Sequence, residues 1–291
     1  MKRILVTGAN KGIGLATVEN LLQNHPDTFL ILGSRDEKRG DEAVGFLTSK
    51  EPKWSDRLMM LAIDVSSEES VTMAAETVAS SFEADAKPLY GIINNAGIGS
   101  SSIGLELTLQ VNTWGIHRVC EAFVPLLEAS GRIVNVTSAA GPNFVEAADD
   151  VTRTMLTDPD VQWDAVEEYM NRCISESKDS ASTTSGLGNA YGLSKACANA
   201  LTLILARENP ELTINACTPG FIETDMTRPF AESQGKSASE MGMKTPEQGS
   251  SASVFLMLGE VPDSGMYFGS DCLRSPLDRY RSPGDPPYEG D

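Results

Sequence analysis

Short apolar runs alternate with amphipathic helical patterns along most of the chain. The runs have the length of buried strands, and the stretches between them repeat apolar positions at helical spacing. This alternation predicts an α/β fold: one doubly wound parallel sheet with helices on both faces. The predicted strands are Ile4–Val6, Phe29–Leu32, Leu58–Ile63, Tyr90–Ile93, Arg132–Val136, Thr213–Cys217 and an edge strand at Met266–Phe268, and helices are predicted up to Leu22, over Ser70–Phe82 and over Tyr191–Arg207.

Two segments interrupt this alternation. Residues 141–189 carry ten acidic and three basic side chains, with apolar positions spaced as in amphipathic helices. They predict a helical insertion that ends in a Ser/Thr-rich loop at Ser180–Ser185. The tail, residues 275–291, is rich in proline and charge, which predicts an irregular segment. We expect both segments to belong to one domain, residues 1–291, because a doubly wound domain reaches this length.

The charge balance excludes several classes of partner. The net charge is −18, from 23 basic and 41 acidic residues, so nucleic acid and anionic membrane surfaces are poor partners. An anionic cofactor would need a local basic patch. No stretch approaches the roughly 20 apolar residues of a membrane span. The N-terminus runs straight into a strand without the pattern of a signal peptide.

The cysteine and histidine content argues against metal chemistry and against disulfides. The five cysteines form no CxxC pair, and their odd number is typical of free thiols in a reducing compartment. We therefore expect a cytoplasmic protein. Only two histidines are present, too few for a zinc site or a His-based triad. No metal site is predicted.

A glycine-rich loop, Thr-Gly-Ala-Asn-Lys-Gly-Ile-Gly, follows the first predicted strand and opens a helix. Its glycines allow a tight turn and let the backbone approach a pyrophosphate, which then sits on the helix N-terminus. The alternative is a simple turn, but the place directly after the first strand favours cofactor binding. The candidate cofactor-binding residues of this loop are Gly8, Asn10, Lys11, Gly12, Ile13 and Gly14.

Basic residues after the second strand indicate which dinucleotide is bound. NAD sites place an acidic residue there, whereas this strand ends in Gly-Ser-Arg35. Arg35, with Lys11 and Arg39, would form a cationic pocket for the 2′-phosphate of NADP(H), which we prefer as the cofactor. Two alternatives stay open. In the first, the basic residues are solvated surface charges, and Arg39 is equally suited to that role and to binding phosphate. In the second, Asp36 holds a ribose as in NAD sites.

Further candidates follow the third and fourth strands. Asp64 and Val65 would bracket the adenine. The same segment would cap the helix that starts near Ser67, because Asp and Ser are good caps, and the two roles are compatible. After the fourth strand comes Asn-Asn-Ala-Gly, a sequence as typical of a turn as of a cofactor lining. The candidates in it are Asn94, Ala96 and Gly97.

The residues with catalytic chemistry come after the fifth strand. Ser138 follows that strand, and Tyr191 and Lys195 stand one helical turn apart on one face of a helix. Each pattern is common by itself. The full order is specific: glycine loop, Asn-Asn-Ala-Gly, Asn112, Ser138, Tyr191, Lys195 and then Pro-Gly after the sixth strand. In this order and spacing the chain resembles the short-chain dehydrogenase/reductase family, with its Rossmann-type sheet, over nearly its whole length.

Within that family the chain is most similar to the carbonyl reductases. The loop Gly-Ala-Asn-Lys-Gly-Ile-Gly, an insert of about 50 residues before Tyr191, and the segment Asn215–Met226 carry this similarity. It implies an NADPH-dependent reductase of ketones, aldehydes or quinones. Two rival functions stay open. One is a pathway-specific ketone reductase or alcohol dehydrogenase of the same family, and the other is a non-catalytic NADP-binding sensor.

The resemblance also implies a role for each residue. Tyr191 would donate a proton to the developing alkoxide. Lys195 and the oxidised nicotinamide would lower the pKa of Tyr191, and Lys195 would hold the nicotinamide ribose. Ser138 would hydrogen-bond the substrate oxygen. Asn112 would anchor a water beside Lys195, or else bridge backbone groups as a buried amide.

The resemblance extends to the loop after the sixth strand and to the assembly. Residues Thr224–Met243 would form a flap over the substrate. A long insert before Tyr191 would cover the helices through which relatives pair, so a monomer is expected. The residues implied to hold the nicotinamide are Pro219, Gly220, Ile222 and Thr224.

Overall fold

A twisted sheet runs through the centre of the protein in the computed structural model, which describes residues 1–99, 103–179, 190–261 and 263–290. Its strand order is β3-β2-β1-β4-β5-β6-β7-β8. The strands are β1 (Lys2–Val6), β2 (Thr28–Ser34), β3 (Leu58–Ala62), β4 (Leu89–Asn94), β5 (Leu127–Val136), β6 (Thr213–Cys217), β7 (Tyr267–Phe268) and β8 (Arg274–Ser275).

Helices cover both faces of the sheet, as the alternating pattern predicts. They are α1 (Gly12–Asn24), α2 (Glu37–Lys50), α3 (Glu68–Ser81), α4 (Leu105–Asn112), α5 (Trp114–Phe123), α6 (Ala140–Ala147), α7 (Asp150–Thr157), α8 (Trp163–Asp179), α9 (Ala190–Glu208), α10 (Arg228–Ser233) and α11 (Pro246–Leu258). Single 3-10 segments span Pro52–Arg57 and Val124–Leu126.

Successive strand residues point to opposite faces of the sheet, so the buried strands supply two apolar layers. Leu5 and Ile92 face one core, which α3, α5 and α9 cover. Ile4 and Ile93 face the other core, which α1, α2 and α11 cover. The strand order reverses beside β1, where β2 lies on one side and β4 on the other. Doubly wound sheets bind ligands at the carboxyl ends of their strands next to this reversal.

The strand at Met266–Phe268 is correctly predicted as a strand, but its assignment to the sheet edge is wrong. β7 pairs in parallel with β6 and also, on its other side, with β8 in antiparallel register. The chain turns back between them, where the Gly269 N–H bonds to the Leu273 carbonyl. Two polar residues, Arg274 and Ser275, form β8, so this strand lacks the apolar run from which a strand is predicted.

β5 begins at Leu127 rather than at Arg132. The pairing of β4 with β5 is irregular between its first and second residue pairs. Ser130 lies there with a φ of 67°. This left-handed residue interrupts the apolar alternation from which the start of a strand is predicted.

Three helices, α6, α7 and α8, lie between β5 and α9, in the segment predicted as a helical insertion. Apolar side chains of α8, such as Val166 and Met170, are fully buried in a third core with residues of α4, α5 and α9. The Trp163 ring stacks on His117 of α5 at a centroid distance of 4.1 Å. The insertion therefore covers the outer face of these helices. The predicted Ser/Thr loop at Ser180–Ser185 lies outside the described residues.

After β8, residues 276–290 contain neither helix nor strand, yet side-chain contacts hold them in place. Arg281 is buried and pairs with Asp271. Its Nε donates to the Ser275 hydroxyl at 3.0 Å, and its Nη1 donates to the Asp285 carbonyl at 2.8 Å. The tail is thereby tied to the end of the sheet. Among the helices of the described residues, none combines the length and the hydropathy that crossing a membrane requires.

Candidate active site

The glycine loop packs directly on the segment that follows β4. Gly8 has a φ of 63°, and a Cβ there would lie 2.8 Å from the Cα of Ala96. A Cβ on Gly14 would lie 2.4 Å from the Nδ2 of Asn95. Gly12 also has a positive φ, 56°, which favours glycine. These positions need glycine because the loop must turn tightly against its neighbour.

Hydrogen bonds from Thr7 and Asn95 hold the two segments together. The Thr7 hydroxyl accepts from the backbone N–H groups of Asn95 and Ala96, both at 3.1 Å. The Asn95 amide donates to the carbonyls of Thr7 and Gly8 at 2.9 and 3.2 Å. Neither Thr7 nor Asn95 is among the candidate site residues predicted from the sequence. The second asparagine of Asn-Asn-Ala-Gly was the sequence feature that could have indicated this contact.

The N-terminus of α1 fits an anionic group such as a pyrophosphate. Lys11 is the N-cap residue, no side chain caps the helix, and its first turn contains no acidic residue. The backbone N–H groups at a helix start, together with the helix dipole, attract negative charge. Two further candidates, Asn10 and Ile13, are partly exposed at this helix start.

The predicted cationic pocket is only partly assembled. Arg35 directly follows β2 with its side chain 71% exposed, and its Nε lies 3.9 Å from Asp64. Asp36 caps α2 by accepting from the Arg39 backbone N–H at 3.0 Å. The Arg39 side chain turns back to the same carboxylate at 3.6 Å. Lys11 instead bonds to Asp225 at 2.7 Å. Of these three basic residues, only Arg35 therefore lies beside the loop that carries Asp64.

The loop that carries Asp64 and Val65 is built by local turns. Ser67, not Asp64, is the cap of α3, since the Ser67 hydroxyl accepts from the N–H of Ser70 at 3.2 Å. The capping alternative is therefore wrong for Asp64. One oxygen of Asp64 accepts from the N–H and the hydroxyl of Ser66, at 2.9 and 2.6 Å.

Helix α5 supports this loop from behind. The Arg118 guanidinium donates to the carbonyl of Val65 at 3.3 Å. A Cβ on Gly115 would lie only 3.0 Å from Val65. Val65 and Arg118 stand 53 positions apart in the chain, so this contact cannot be predicted from local sequence.

Ser138, Tyr191 and Lys195 come together beyond the end of β5. The hydroxyl of Ser138 lies beside the Tyr191 phenol. Lys195 is 3% exposed, and its Nζ donates to the carbonyl of Val136 at 2.9 Å. The same Nζ lies 5.7 Å from the centre of the Tyr191 ring. A hydroxyl, a phenol and an ammonium group thus lie near one another at the carboxyl edge of the sheet.

Burial changes the acidity of two of these groups. It raises the pKa of Tyr191 above that of free tyrosine, and the neighbouring Ser138 hydroxyl opposes that rise. Burial also lowers the pKa of Lys195 to about 8. The expected lowering of the Tyr191 pKa by Lys195 is therefore not produced by the protein alone, because desolvation of the phenolate outweighs the favourable contacts.

Asn112 lies fully buried at the C-terminal end of α4. Its Oδ1 accepts from the N–H of Ile98 at 2.9 Å, and its Nδ2 donates to the Ile98 carbonyl and to the Ser194 hydroxyl at 2.8 and 3.0 Å. It therefore bridges backbone groups, one of its two predicted roles. Its Oδ1 and the Lys195 Nζ lie within 3.4 and 3.5 Å of where a Gly97 Cβ would sit.

Ser194 is a further residue that sequence reasoning missed. Its hydroxyl accepts from Asn112 and donates to the Tyr191 carbonyl at 2.8 Å. Its own carbonyl accepts from the Thr113 hydroxyl at 2.9 Å. Ser194 thus links the α4–α5 junction to the first turn of α9. Only its place beside Lys195 hinted at such a role.

The structure gives the Asn94 side chain a partner inside the core. Asn94 is 2% exposed, and its amide donates to the Oδ1 of Asn135 on β5 at 2.9 Å. Asn135 in turn donates to the Thr202 hydroxyl on α9 at 2.9 Å. This row of polar groups joins β4, β5 and α9.

The loop after β6 reaches back to the glycine loop. Gly220 has a φ of 91°, and a Cβ there would lie 3.1 Å from Ser270. Ile222 is buried and forms a short parallel bridge with Lys244. The Cγ2 of Thr224 lies 3.6 Å from where a Gly12 Cβ would sit. Pro219, the first predicted residue of this loop, stands two positions after β6.

The beginning of the predicted flap also approaches the catalytic group. A Cβ on Gly99 would lie 2.7 Å from the Tyr191 ring and 3.3 Å from the sulfur of Met226. Met226 is 39% exposed, as is Phe221 nearby in the chain. The apolar side chain of Met226 thus lies at the approach to Tyr191.

A family model described as short chain dehydrogenase matches residues 2–148. The chain belongs to the short-chain dehydrogenase family. This confirms the resemblance seen in the sequence and the predicted Rossmann-type fold. Tyr191 and Lys195, both on α9, lie beyond the matched residues, so similarity over the full length is informative.

Full-length relatives show the same family. The (+)-neomenthol dehydrogenase of Arabidopsis thaliana is 32% identical over 91% of this short-chain dehydrogenase and 94% of its own length. Carbonyl reductase (NADPH) 3 of Rattus norvegicus is 31% identical over 87% of this chain and 90% of its own. Salutaridine reductase from Papaver somniferum superposes with a TM-score of 0.76 at 25% identity, covering 92% and 99% of the two chains. The protein is a carbonyl-reductase-like oxidoreductase of this family.

Proposed function

We propose that this protein is an NADPH-dependent carbonyl reductase that reduces ketones, aldehydes or quinones to alcohols, with Tyr191 as the proton donor. The convergence of Ser138, Tyr191 and Lys195 at the carboxyl edge of the sheet carries the proposal. The glycine loop lies at the same edge, where β1 ends. A carbonyl substrate placed there would meet a proton donor and a hydrogen-bond donor together.

When bound, NADPH supplies the hydride for this chemistry. The chain's own groups handle the oxygen of the substrate. The Ser138 hydroxyl would donate a hydrogen bond to that oxygen and stabilise its developing negative charge. The Tyr191 phenol would then give its proton to the oxygen as general acid, leaving a phenolate that is reprotonated before the next cycle.

The acidity of Tyr191 suits a proton donor in the reductive direction. Because burial raises its pKa, the phenol is protonated at neutral pH. The positive charge of an oxidised nicotinamide would favour the phenolate only once hydride has left the cofactor. Tyr191 would thus hold its proton until the alkoxide forms. In the oxidative direction, as the name of the Arabidopsis relative describes, the same groups would remove a proton from an alcohol.

Lys195 would hold the cofactor while remaining mostly charged at neutral pH. One of its three N–H donors bonds to Val136, which leaves two for the hydroxyls of the nicotinamide ribose. Its pKa of about 8 reflects the burial of the ammonium group. Asn112 fixes the backbone at Ile98 beside it.

The preference for NADP(H) rests on Arg35. It is exposed directly after β2, where a 2′-phosphate would be bound. Asp36, the residue that would favour NAD, is occupied as the cap of α2. The rat relative is named for NADPH. Together these observations support a phosphate-binding arginine rather than a ribose-binding carboxylate.

The proposal also covers assembly and location. α8 buries apolar side chains against α4, α5 and α9, the helices through which relatives would pair, so we propose a monomer. A solution mass of twice 31.2 kDa would contradict it. The five cysteines are free thiols, in keeping with a cytoplasmic protein.

The test of function is the loss of reduced-nicotinamide absorbance when purified protein meets diketones, quinones and aldehydes with NADPH or NADH. We expect NADPH to be consumed well ahead of NADH, and Tyr191→Phe to bind NADPH without consuming it. Binding of NADPH without turnover on any substrate would favour a sensor. Failure to bind either cofactor would reject the proposal.

A further inference from the structure

Two charged side chains connect the glycine loop with the beginning of the flap. Lys11 is the N-cap residue of α1, and Asp225 stands 214 positions later in the chain. The Nζ of Lys11 and the Oδ2 of Asp225 are 2.7 Å apart. Beside them, the Cγ2 of Thr224 lies 3.6 Å from where a Cβ on Gly12 would sit. The two loops therefore meet across the N-terminus of α1, where we place the pyrophosphate.

Asp225 is held in position from the flap side as well. The Nη1 of Arg228 lies 3.1 Å from its other oxygen, Oδ1, and the Nε of Arg228 lies 3.6 Å from Glu223. The contact with Lys11, followed by that with Arg228, lowers the pKa of Asp225. The carboxylate is thus ionised at neutral pH, with one oxygen turned to each loop.

The position of Lys11 distinguishes between two roles for its ammonium group, a contact with a 2′-phosphate and a link between two loops. A 2′-phosphate ligand would be expected beside Arg35, the residue that follows β2. Lys11 points instead to the flap, and its ammonium is bonded to Asp225. The geometry favours a link between loops over a phosphate contact.

We propose that Asp225 is a positioning residue which, acting through Lys11, straps the flap to the glycine loop and slows the release of the bound nicotinamide cofactor. This inference rests on the proposed function, because it takes the cleft between the two loops to be the cofactor site. The side chains of Lys11 and Asp225 are 58% and 59% exposed. The strap is therefore weak, and its loss should speed release by at most about fivefold.

The first experiment measures release rates of NADPH and NADH by stopped-flow fluorescence. We expect Lys11→Met and Asp225→Asn to speed release of both cofactors by the same factor. The double variant should release no faster than either single one, because both substitutions remove one interaction. The exchange Lys11→Asp with Asp225→Lys should restore slow release. Arg228→Met is the matched control, since it removes a cation from Asp225 but no contact with the glycine loop.

The inference is overturned if Lys11→Met speeds release of NADPH alone while Asp225→Asn changes neither rate. Lys11 would then be a phosphate ligand. A second measurement is independent of the cofactor: thermolysin cleavage within residues 224–243 of the protein without nucleotide. Faster cleavage in both single variants supports the strap, and unchanged cleavage with unchanged release rejects it. Wild-type protein that binds no cofactor would reject the proposed function, and the cleavage rates would still decide whether the strap exists.

Discussion

The Nζ of Lys195 donates to the carbonyl oxygen of Val136 over 2.9 Å, which ties the first turns of α9 to the last residue of β5. Lys195 is 3% exposed, so its charge is held in the protein interior. This contact places the ammonium beside the Tyr191 ring. The burial of Lys195 also makes its charge costly, because a buried ammonium loses most of its hydration.

Replacing Lys195 should change how the free energy of unfolding depends on pH. In the fold the pKa of Lys195 is about 8, whereas an unfolded lysine titrates near 10.4. Between these values the unfolded chain binds more protons than the folded one, so this group's contribution to stability rises with pH. The free energy of unfolding of wild type minus that of Lys195→Met should therefore increase by up to about 3 kcal/mol from pH 8 to 10.5.

Urea unfolding across this pH range measures the difference. The comparison with the variant is needed because the buried thiols of Cys120 and Cys217, whose pKa values are raised to about 12, destabilise the fold as pH rises. Exposed Lys53→Met controls for the loss of one positive charge. A difference that stays flat from pH 8 to 10.5 would show that Lys195 is not desolvated as the structure indicates.

Removal of the Tyr191 hydroxyl should abolish most turnover. Tyr191→Phe keeps the ring that packs against Gly99 but removes the proton donor. A general acid contributes about 10²- to 10⁴-fold to rate, so kcat should fall by that order while NADPH affinity stays within about twofold. Steady-state kinetics and a fluorescence titration give the two values. Tyr280→Phe, on the exposed tail, is the matched control. Turnover retained by Tyr191→Phe would remove this residue from the proton-donor role.

The sequence was most informative where a feature is local. Strand alternation and the glycine loop predict the sheet and its ligand edge, because both depend on neighbouring residues. β8 escaped prediction because tertiary pairing, not apolar periodicity, makes Arg274 and Ser275 a strand. The contacts of Thr7 with Asn95 and of Lys11 with Asp225 join distant segments, so the spacing of residues along the chain does not predict them.

Reversing the charge at Arg35 should change cofactor preference. Arg35→Asp would repel a 2′-phosphate, so we expect NADPH affinity to fall by about tenfold or more and NADH affinity to change much less. Arg279→Asp, on the tail, alters net charge equally and should leave both affinities unchanged. Fluorescence titrations with both cofactors decide the matter. Equal losses for NADPH and NADH in Arg35→Asp would show that this residue does not select the phosphate.

Two glycines should respond oppositely to the same substitution. A Cβ on Gly14 would lie 2.4 Å from Asn95 and 2.6 Å from the Gly8 carbonyl, so Gly14→Ala must displace the glycine loop. Gly45 sits within α2 with no atom within 4 Å of its Cβ position. Gly45→Ala should therefore stabilise the protein by about 0.5–1 kcal/mol through helix propensity alone.

Urea unfolding and NADPH titration of both variants provide the comparison. Gly14→Ala is expected to weaken NADPH binding by more than tenfold and to lower the free energy of unfolding by about 1–3 kcal/mol, since overpacking forces the backbone to move. Gly45→Ala should bind NADPH as wild type does. Undiminished NADPH affinity in Gly14→Ala would mean that the cofactor does not depend on the close approach of this loop to Asn95, and the pyrophosphate would then have to be placed elsewhere.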